Sequence, residues 1–417
     1  MSEWKKVKIG DVCKIVKGTT GIASAEHGKY PLVVTAVERK TCSTYQFDCE
    51  AVCIPLVSSS GHGKKSLNNV HFQSGKFALG TILCAVIPNN SDELDARYLH
   101  QYLQFYKDTV LVPLMKGAAN VSLSMKDITG VSIPLPPIKR QRELAEMFVT
   151  LQEKQKELFT EFEKQTEYAK QLRQNILQEA IEGKLTADWR KQHPVQKGNP
   201  DYDAEALFDK IQGEKSETKS SKKAIAPITK DEIPFEIPTN WKWVRLWEIC
   251  NRVCAGGDKP KIFSKEKKAE HLIPVVSNGE INDGIFGYTD NASINEDSIT
   301  ISGRGTIGYT SVRTYPFTPI VRLIVLIFKS NLNLFYLKIA LPFFIFSGNG
   351  SAIQQLTVPM VLPTILPLPP LAEQKEIVAR AEQHLQTITQ LETQIATRET
   401  TTKQLMQSIL KDAFEEE

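Results

Sequence analysis

Two glycine-rich stretches in this 417-residue chain carry residue types that grip a phosphate backbone. The first is Ser60-Gly-His-Gly63, which contains His62, with Lys64, Lys65, Asn68, Asn69 and Lys76 behind it and Lys17 upstream. The second is Ser302-Gly-Arg-Gly-Thr-Ile-Gly308, which contains Arg304 and Thr306. Lys259, Lys261, Lys265, Lys267, Lys268 and Asn278 precede it, and Arg313 follows. Glycine lets backbone amides approach a phosphate, while Lys and Arg supply charge. Asn278 and Arg304 also carry donors or acceptors suited to base edges. The alternative for both stretches is a tight glycine turn in a sheet-rich domain.

Other chemistries find little support. No GxxxxGK[ST] phosphate loop is present, and the GxGxxG spacing that begins at Gly303 lacks a strand-to-helix setting. Asn199-Pro-Asp-Tyr202 is like the Asn-Pro-Pro-Tyr motif of adenine methyltransferases in outline only, because Asp201 replaces the second proline. The seven histidines are scattered and form no triad with a carboxylate and a nucleophile. The seven cysteines include the pairs Cys49/Cys53 and Cys250/Cys254, but neither has a second pair or a histidine cluster beside it. Buried reduced thiols are expected, not a disulfide framework or zinc. The expectation is therefore a chain with no catalytic residue, no bound cofactor and no metal.

Met1-Ser-Glu-Trp-Lys-Lys has no apolar run behind it, so a cytoplasmic location is expected. The apolar stretch from Ile320 to Phe346 is broken by Arg322, Lys329, Lys338 and Pro342. It reads as buried strand and helix, not as a membrane span.

An internal repeat sets where the glycine loops must sit. Trp4-Lys-Lys-Val7 returns as Trp241-Lys-Trp-Val244. Pro134-Leu-Pro-Pro-Ile-Lys-Arg-Gln-Arg-Glu143 returns as Pro367-Leu-Pro-Pro-Leu-Ala-Glu-Gln-Lys-Glu376. Gln171–Lys184 matches Gln404–Glu417 at the same offset, with half of the positions identical. The chain is thus two copies of one plan: a globular region, a proline hinge and a long helix. The expected domains are 1–133, a first helix in 134–183, a connector over 184–237, a second globular domain over 238–366 and a second helix in 367–417.

Both helices predict a heptad seam. In the first it runs through Leu144, Phe148, Leu151, Leu158, Phe162, Leu172 and Ile176. In the second it runs through Ile377, Ile388, Leu391, Ile395, Leu405 and Ile409, with His384 and Arg398 as polar members. Each helix of about 45 residues would span roughly 65–70 Å. The fold class expected is α+β: two globular domains separated by two long helices forming an antiparallel coiled coil, related by a pseudo-twofold repeat.

Charge follows the same division. Of the net +3, residues 1–133 carry +4, residues 238–366 carry +4, and the remainder carries −5. Basic globular regions on an acidic scaffold suit a polyanion touched at two places.

These features together resemble the specificity subunit of a type I restriction–modification system. The resemblance rests on Trp4 and Trp241, the 302–308 run, both Pro-Leu-Pro-Pro hinges and Glu373-Gln374. Ala180-Ile-Glu-Gly-Lys-Leu-Thr-Ala-Asp-Trp-Arg190 and Ile233-Pro-Phe-Glu-Ile-Pro238 add to it. Lys139-Arg140-Gln141 departs from the pattern, as do His62 in place of Arg304 and the end at Glu415-Glu-Glu417. The resemblance implies that each globular region is a target-recognition domain for one half of a bipartite double-stranded DNA site. It implies two methyltransferase subunits as partners, and restriction subunits where a system has them. S-adenosylmethionine, ATP and magnesium would belong to those partners, and no membrane is involved. A methylation-only complex and a coiled-coil adaptor unrelated to DNA are the alternatives.

Overall fold

A computed structural model describes residues 4–60, 63–214, 227–329, 332–345 and 355–415. The chain divides into two compact units, Met1–Lys164 with Ile395–Glu417, and Gln165–Gln394.

In the first unit, β-branched and apolar runs make strands covered on both faces, as in Ala51–Pro55 and most of Leu83–Pro88. They form an antiparallel sheet in the order Cys13–Lys17, Leu83–Pro88, Ala51–Pro55, His71–Gln73. A second sheet holds Lys40–Cys42, Tyr30–Val33, Lys76–Leu79 and Phe47–Asp48, with Tyr30–Val33 parallel to Lys76–Leu79. Lys6–Lys8 pairs with Ser132–Pro134 and so brings the start of the chain against the first proline hinge.

The second unit repeats this plan. Its main sheet runs Cys250–Ala255, Ile324–Phe328, Ser298–Ile301, Thr310–Arg313. In both sheets the first strand in sequence pairs with the fourth, which pairs with the second and then the third. Ile273–Val276 lies between Ile285–Thr289 and a parallel Thr318–Pro319, and Lys242–Arg245 pairs with Ile365–Leu368 before the second hinge. The apolar stretch after Ile320 becomes the buried strand Ile324–Phe328 and the helix Leu334–Ile345. Among the described residues no helix is long and apolar enough to cross a membrane.

The hinges are fastened by the same contacts in both units. Gln141 is fully buried; it accepts from Asp95 N at 2.8 Å and donates to the Glu93 and Pro136 carbonyls. Gln374 is equally buried; it accepts from Asn333 N at 3.0 Å and donates to the Pro369 carbonyl. Tyr98 donates to the Pro134 carbonyl at 3.0 Å and Tyr336 to that of Pro367 at 2.8 Å. Buried polar groups of this kind fix one docking angle, because any other leaves them unpaired.

The two long helices are Ile138–Glu182 and Leu371–Glu415. They pair antiparallel within each unit. In the first, Phe414 packs on Phe148 with ring centres 4.7 Å apart, and the Arg398 guanidinium lies over the Phe162 ring. In the second, Ile388 packs with Ala169 and Ile176, Arg173 pairs with Glu392 at 2.9 Å, and Arg380 pairs with Asp188 at 2.6 Å.

The seam differs in part from the heptad expectation. Leu144, Phe148, Phe162, Ile176, Ile377 and Ile388 are buried, and Leu151, Ile395 and Ile409 are half-buried. Leu158, Leu172, Leu391 and Leu405 are exposed, as are His384 and Arg398. Phe159, Arg173, Glu392 and Met406 take the inward positions instead, each one residue further on. The seven-residue period itself holds: Phe148, Gln155, Phe162, Ala169 and Ile176, and Ala381, Ile388, Ile395, Thr402 and Ile409, stay buried or half-buried along each helix. Only the alternate set of inward positions lies one residue further on than expected.

The connector, read from sequence as polar, is partly folded. Ala204–Gly213 buries Leu207 and Ile211 in the core of the second unit. The carbonyls of Pro200 and Asp201 accept from the amides of Leu371 and Ala372, so they occupy otherwise unpaired donors at the start of the second helix. Glu373, fully buried, draws the connector in. It accepts from Thr186 Oγ1 at 2.7 Å, Trp241 Nε1 at 2.8 Å and Asn240 Nδ2 at 3.1 Å, and pairs with Arg190. Arg140 stands at the corresponding place in the first copy. The Asn199-Pro-Asp-Tyr202 segment is therefore structural, with Tyr202 stacked near His193 and Trp189.

All seven cysteines are free thiols, five of them buried. Burial pushes Cys13 and Cys84 up to about 12, which keeps them protonated. His71, 5% exposed, is lowered to about 4 by burial and by the Arg39 guanidinium 3.3 Å from its Nδ1. The neutral form is favoured when folded, so His71 stabilises the fold above about pH 6.5, and this contribution is lost as pH falls through 4. Urea midpoints of the full chain are expected to drop between pH 7 and pH 4.5, and to drop less in His71→Asn. Equal drops would exclude His71 as a source.

Candidate nucleic-acid interface

The glycine loops lie where each main sheet gives way to hairpin turns. In the first unit the serines close the loop. Ser58 Oγ donates to the Lys64 carbonyl at 2.6 Å and accepts from Ser66 N at 3.2 Å. Ser60 and Ser66 hydroxyls meet at 2.8 Å, and Asn68 N donates to Ser59 Oγ. Lys64, Lys65 and Asn68 are left exposed and Asn69 half-buried. Lys17 and Lys76 are exposed too; Lys76 lies 3.9 Å from Asp48 and over the Tyr45 ring. His62 lies outside the described residues.

In the second unit, Ser302–Gly308 joins two antiparallel strands, which settles its GxGxxG spacing as a hairpin turn and not a dinucleotide loop. Gly308 N donates to the Ser302 carbonyl at 2.8 Å. Arg304 and Thr306 point outward, with Arg304 Nη2 reaching Gln355 Oε1 at 2.9 Å. Lys259, Lys261, Lys265, Lys267 and Lys268 are all exposed, and Lys259 sits over the Phe263 ring.

Two expectations need correcting. Asn278 is not presented to a base edge: its Oδ1 accepts from Gly303 N at 2.8 Å and its Nδ2 donates to the Val321 carbonyl at 2.9 Å. It braces one loop against another. Arg313 is 1% exposed and cannot reach a ligand. Its guanidinium pairs with Asp283, accepts none, and donates to Thr300 Oγ1, Tyr315 Oη and the Asp283 carbonyl. A charge buried that deeply requires such partners.

Arg322 is a further exposed cation near the second glycine turn that sequence reading did not single out. Val321 and Arg322 both take left-handed φ, at 54° and 61°, in the turn entering Ile324–Phe328. Such a conformation is costly for valine and carries no sequence signal. The turn is held by Val321 N to the Gly257 carbonyl and Arg322 N to the Gly256 carbonyl, and Arg322 is exposed. Gly18 in the first unit corresponds to Gly256: their amides donate to the Leu83 and Leu323 carbonyls, respectively. A β-carbon on Gly18 would lie 2.2 Å from the Gly80 carbonyl oxygen, and one on Gly256 would lie 2.6 Å from Ile320 N. Both glycines permit the same close crossing of strand ends.

The model of the type I restriction modification DNA specificity domain matches residues 1–176 and 238–398, one match on each copy. The chain belongs to this family. A type I specificity subunit of this kind gives a restriction–modification system its DNA specificity and is not its catalytic subunit. Among the described residues there is no group of three or more side chains able to hold a metal ion. The chain is 26% identical to the type I specificity subunit S.MpnORF507P of Mycoplasma pneumoniae, over 89% of this chain and 86% of that one. It is 25% identical to the type I restriction enzyme EcoDI specificity subunit of Escherichia coli, over 99% and 88%. The HsdS subunit from Thermoanaerobacter tengcongensis shares the fold, with a TM-score of 0.58 at 16% identity over 100% of this chain and 97% of that one. A chain solved in work on complex assembly and conformational transition of the type I system has a TM-score of 0.65 at 18% identity, over 100% and 98%. The specificity subunit thus carries its target-recognition domain twice, with exposed basic turns in both copies.

Proposed function

We propose that this specificity subunit reads a bipartite double-stranded DNA target, one half with residues 1–133 and the other with residues 238–366. The supporting observation is the duplicated sheet order, whose glycine turns leave Lys64 and Lys65 exposed in one copy and Arg304 and Thr306 in the other. Lys17, Asn68, Lys76, Lys259, Lys261, Lys265, Lys267 and Lys268 extend these contacts to phosphates, which supply affinity without sequence information. The subunit seats two methyltransferase subunits, which bring S-adenosylmethionine and flip the target adenine from the stack. Restriction subunits, where present, bring ATP and magnesium. The complex acts in the cytoplasm.

On this reading the paired helices set the gap between the half-sites. Adding one heptad to each helix lengthens the spacer by about 10 Å. B-DNA rises about 3.4 Å per base pair, so the gap grows by about three base pairs. Sequencing of methylated sites is expected to return both half-sites unchanged with this wider gap. An active variant with an unaltered gap would remove the helices as ruler.

A further inference from the structure

Ile281 is 92% exposed, an unusual position for a large aliphatic side chain on a well-braced loop. It lies in the loop joining Ile273–Val276 to Ile285–Thr289, closed at its base by Ser277 N to the Gly284 carbonyl at 2.8 Å. The next two residues, Asn282 and Asp283, both hold left-handed φ, at 51° and 50°. Asn and Asp take this conformation more readily than other non-glycine residues, and two in succession make a tight hairpin turn. The turn is also braced from within the domain. Asp283 is gripped by Arg313, by Ser311 Oγ at 2.9 Å and by Tyr309 Oη at 3.3 Å, while Arg313 Nη2 also holds its carbonyl at 2.8 Å. A guanidinium buried in the domain is thus committed to fixing an exposed loop.

The loop belongs to the same surface as the candidate DNA contacts. Gly279 N donates to Ser302 Oγ at 3.1 Å, and Asn278 ties the loop to both Gly303 and the Val321 turn. Exposed Arg304 and Arg322 adjoin the residues that Asn278 holds at the base of the loop, and exposed Glu280 precedes Ile281 at its tip. An aliphatic tip above two basic residues fits a duplex: the cations meet phosphates, and the side chain enters between bases. Proteins that kink DNA use Ile, Leu, Phe or Met as wedges that partly unstack a base step.

We propose that Ile281 is a specificity-determining wedge. It inserts at a base step in the half-site read by residues 238–366, with Arg313 and Asp283 as positioning residues that hold it rigid. Discrimination would then come partly from how easily that step unstacks, not only from hydrogen bonds to base edges. The proposal rests on the DNA-reading function above.

The test uses the full chain copurified with its methyltransferase subunits and a duplex carrying the site found by methylation sequencing. 2-Aminopurine is placed at successive positions across the second half-site. Wild type is expected to raise its fluorescence at one step other than the methylated adenine. Ile281→Ala should lose that signal and bind the site about tenfold more weakly, with non-specific affinity and salt dependence unchanged. Ile281→Leu should retain the signal. An Ile281→Ala complex with wild-type fluorescence and affinity would overturn the proposal. Loss of the methyltransferase subunits from the Ile281→Ala complex would overturn it too, by making Ile281 a protein contact. Absence of any bipartite site for wild type would instead sink the DNA-reading function, and the wedge with it.

Discussion

Glu373→Ala is expected to destabilise the second unit by about 3–5 kcal/mol, the scale for removing one partner of a buried charged network. The carboxylate is fully buried and is shared by Thr186, Arg190, Asn240 and Trp241. Alanine leaves an indole N–H, an amide, a hydroxyl and a guanidinium facing a hole. Each loses an acceptor that water cannot readily replace. Glu373→Gln keeps the shape and one acceptor oxygen, so its cost should be smaller. Adding Arg190→Ala to Glu373→Ala should recover part of the loss, because the uncompensated cation is gone. Urea unfolding followed by tryptophan fluorescence measures this well, since Trp241 and Trp189 lie at or beside the network. A cost below about 1 kcal/mol for Glu373→Ala would mean that the carboxylate does not hold the connector in place.

The same network shows how far the sequence could be read. The repeat was legible because it is written in residue identities: the Pro-Leu-Pro-Pro hinges and Gln141 against Gln374 keep one offset, and Trp4 against Trp241 differs from it by only a few residues. Identity at fixed spacing survives folding unchanged, and the buried roles of Gln141 and Gln374 show why those identities recur. The helices were legible from length and apolar period. Half of their inward face was legible: the set through Phe148, Phe162 and Ile176, and that through Ile388, Ile395 and Ile409, faces inward along each helix. The alternate set was placed one residue early, so Leu158, Leu172, Leu391 and Leu405 are exposed.

The candidate contacts were harder. A glycine loop with neighbouring lysines is visible in sequence, and those lysines and Arg304 are exposed. Which polar side chain faces outward is decided by tertiary partners far along the chain. Arg313 is claimed by Asp283, thirty residues away, and Asn278 by Gly303 and Val321. Neither pairing has a local signal. Arg322 and Ile281 escaped notice for the converse reason: their importance rests on left-handed backbone at Val321, Arg322, Asn282 and Asp283. Asn-Asp is a weak signal of such a turn, but Val321 and Arg322 give none. Neutral overall charge was similarly uninformative until it was divided, since +4 and +4 on the globular regions are masked by −5 elsewhere.

The central claim is that each copy of the repeat reads its own half of the DNA target. It predicts the largest functional effect of all, a complete change of one half-site with no change in the other. Replacing residues 238–366 by the corresponding domain of another type I specificity subunit keeps both hinges, both helices and the connector. The Lys242–Arg245 to Ile365–Leu368 ladder crosses the boundary: Ile365 and Leu366 are exchanged while Pro367 and Leu368 are kept, so the new first strand must pair with the retained end of the hinge. Residues across the boundary, Glu373 and Gln374, must still find Trp241 and Asn333 equivalents, which sets the choice of donor domain. The decisive measurement is methylation-site sequencing of cells carrying the exchanged chain with its methyltransferase subunits. The account predicts a new second half-site beside an unchanged first half-site and an unchanged gap. A methylated sequence in which both halves change, or in which neither does, would contradict it.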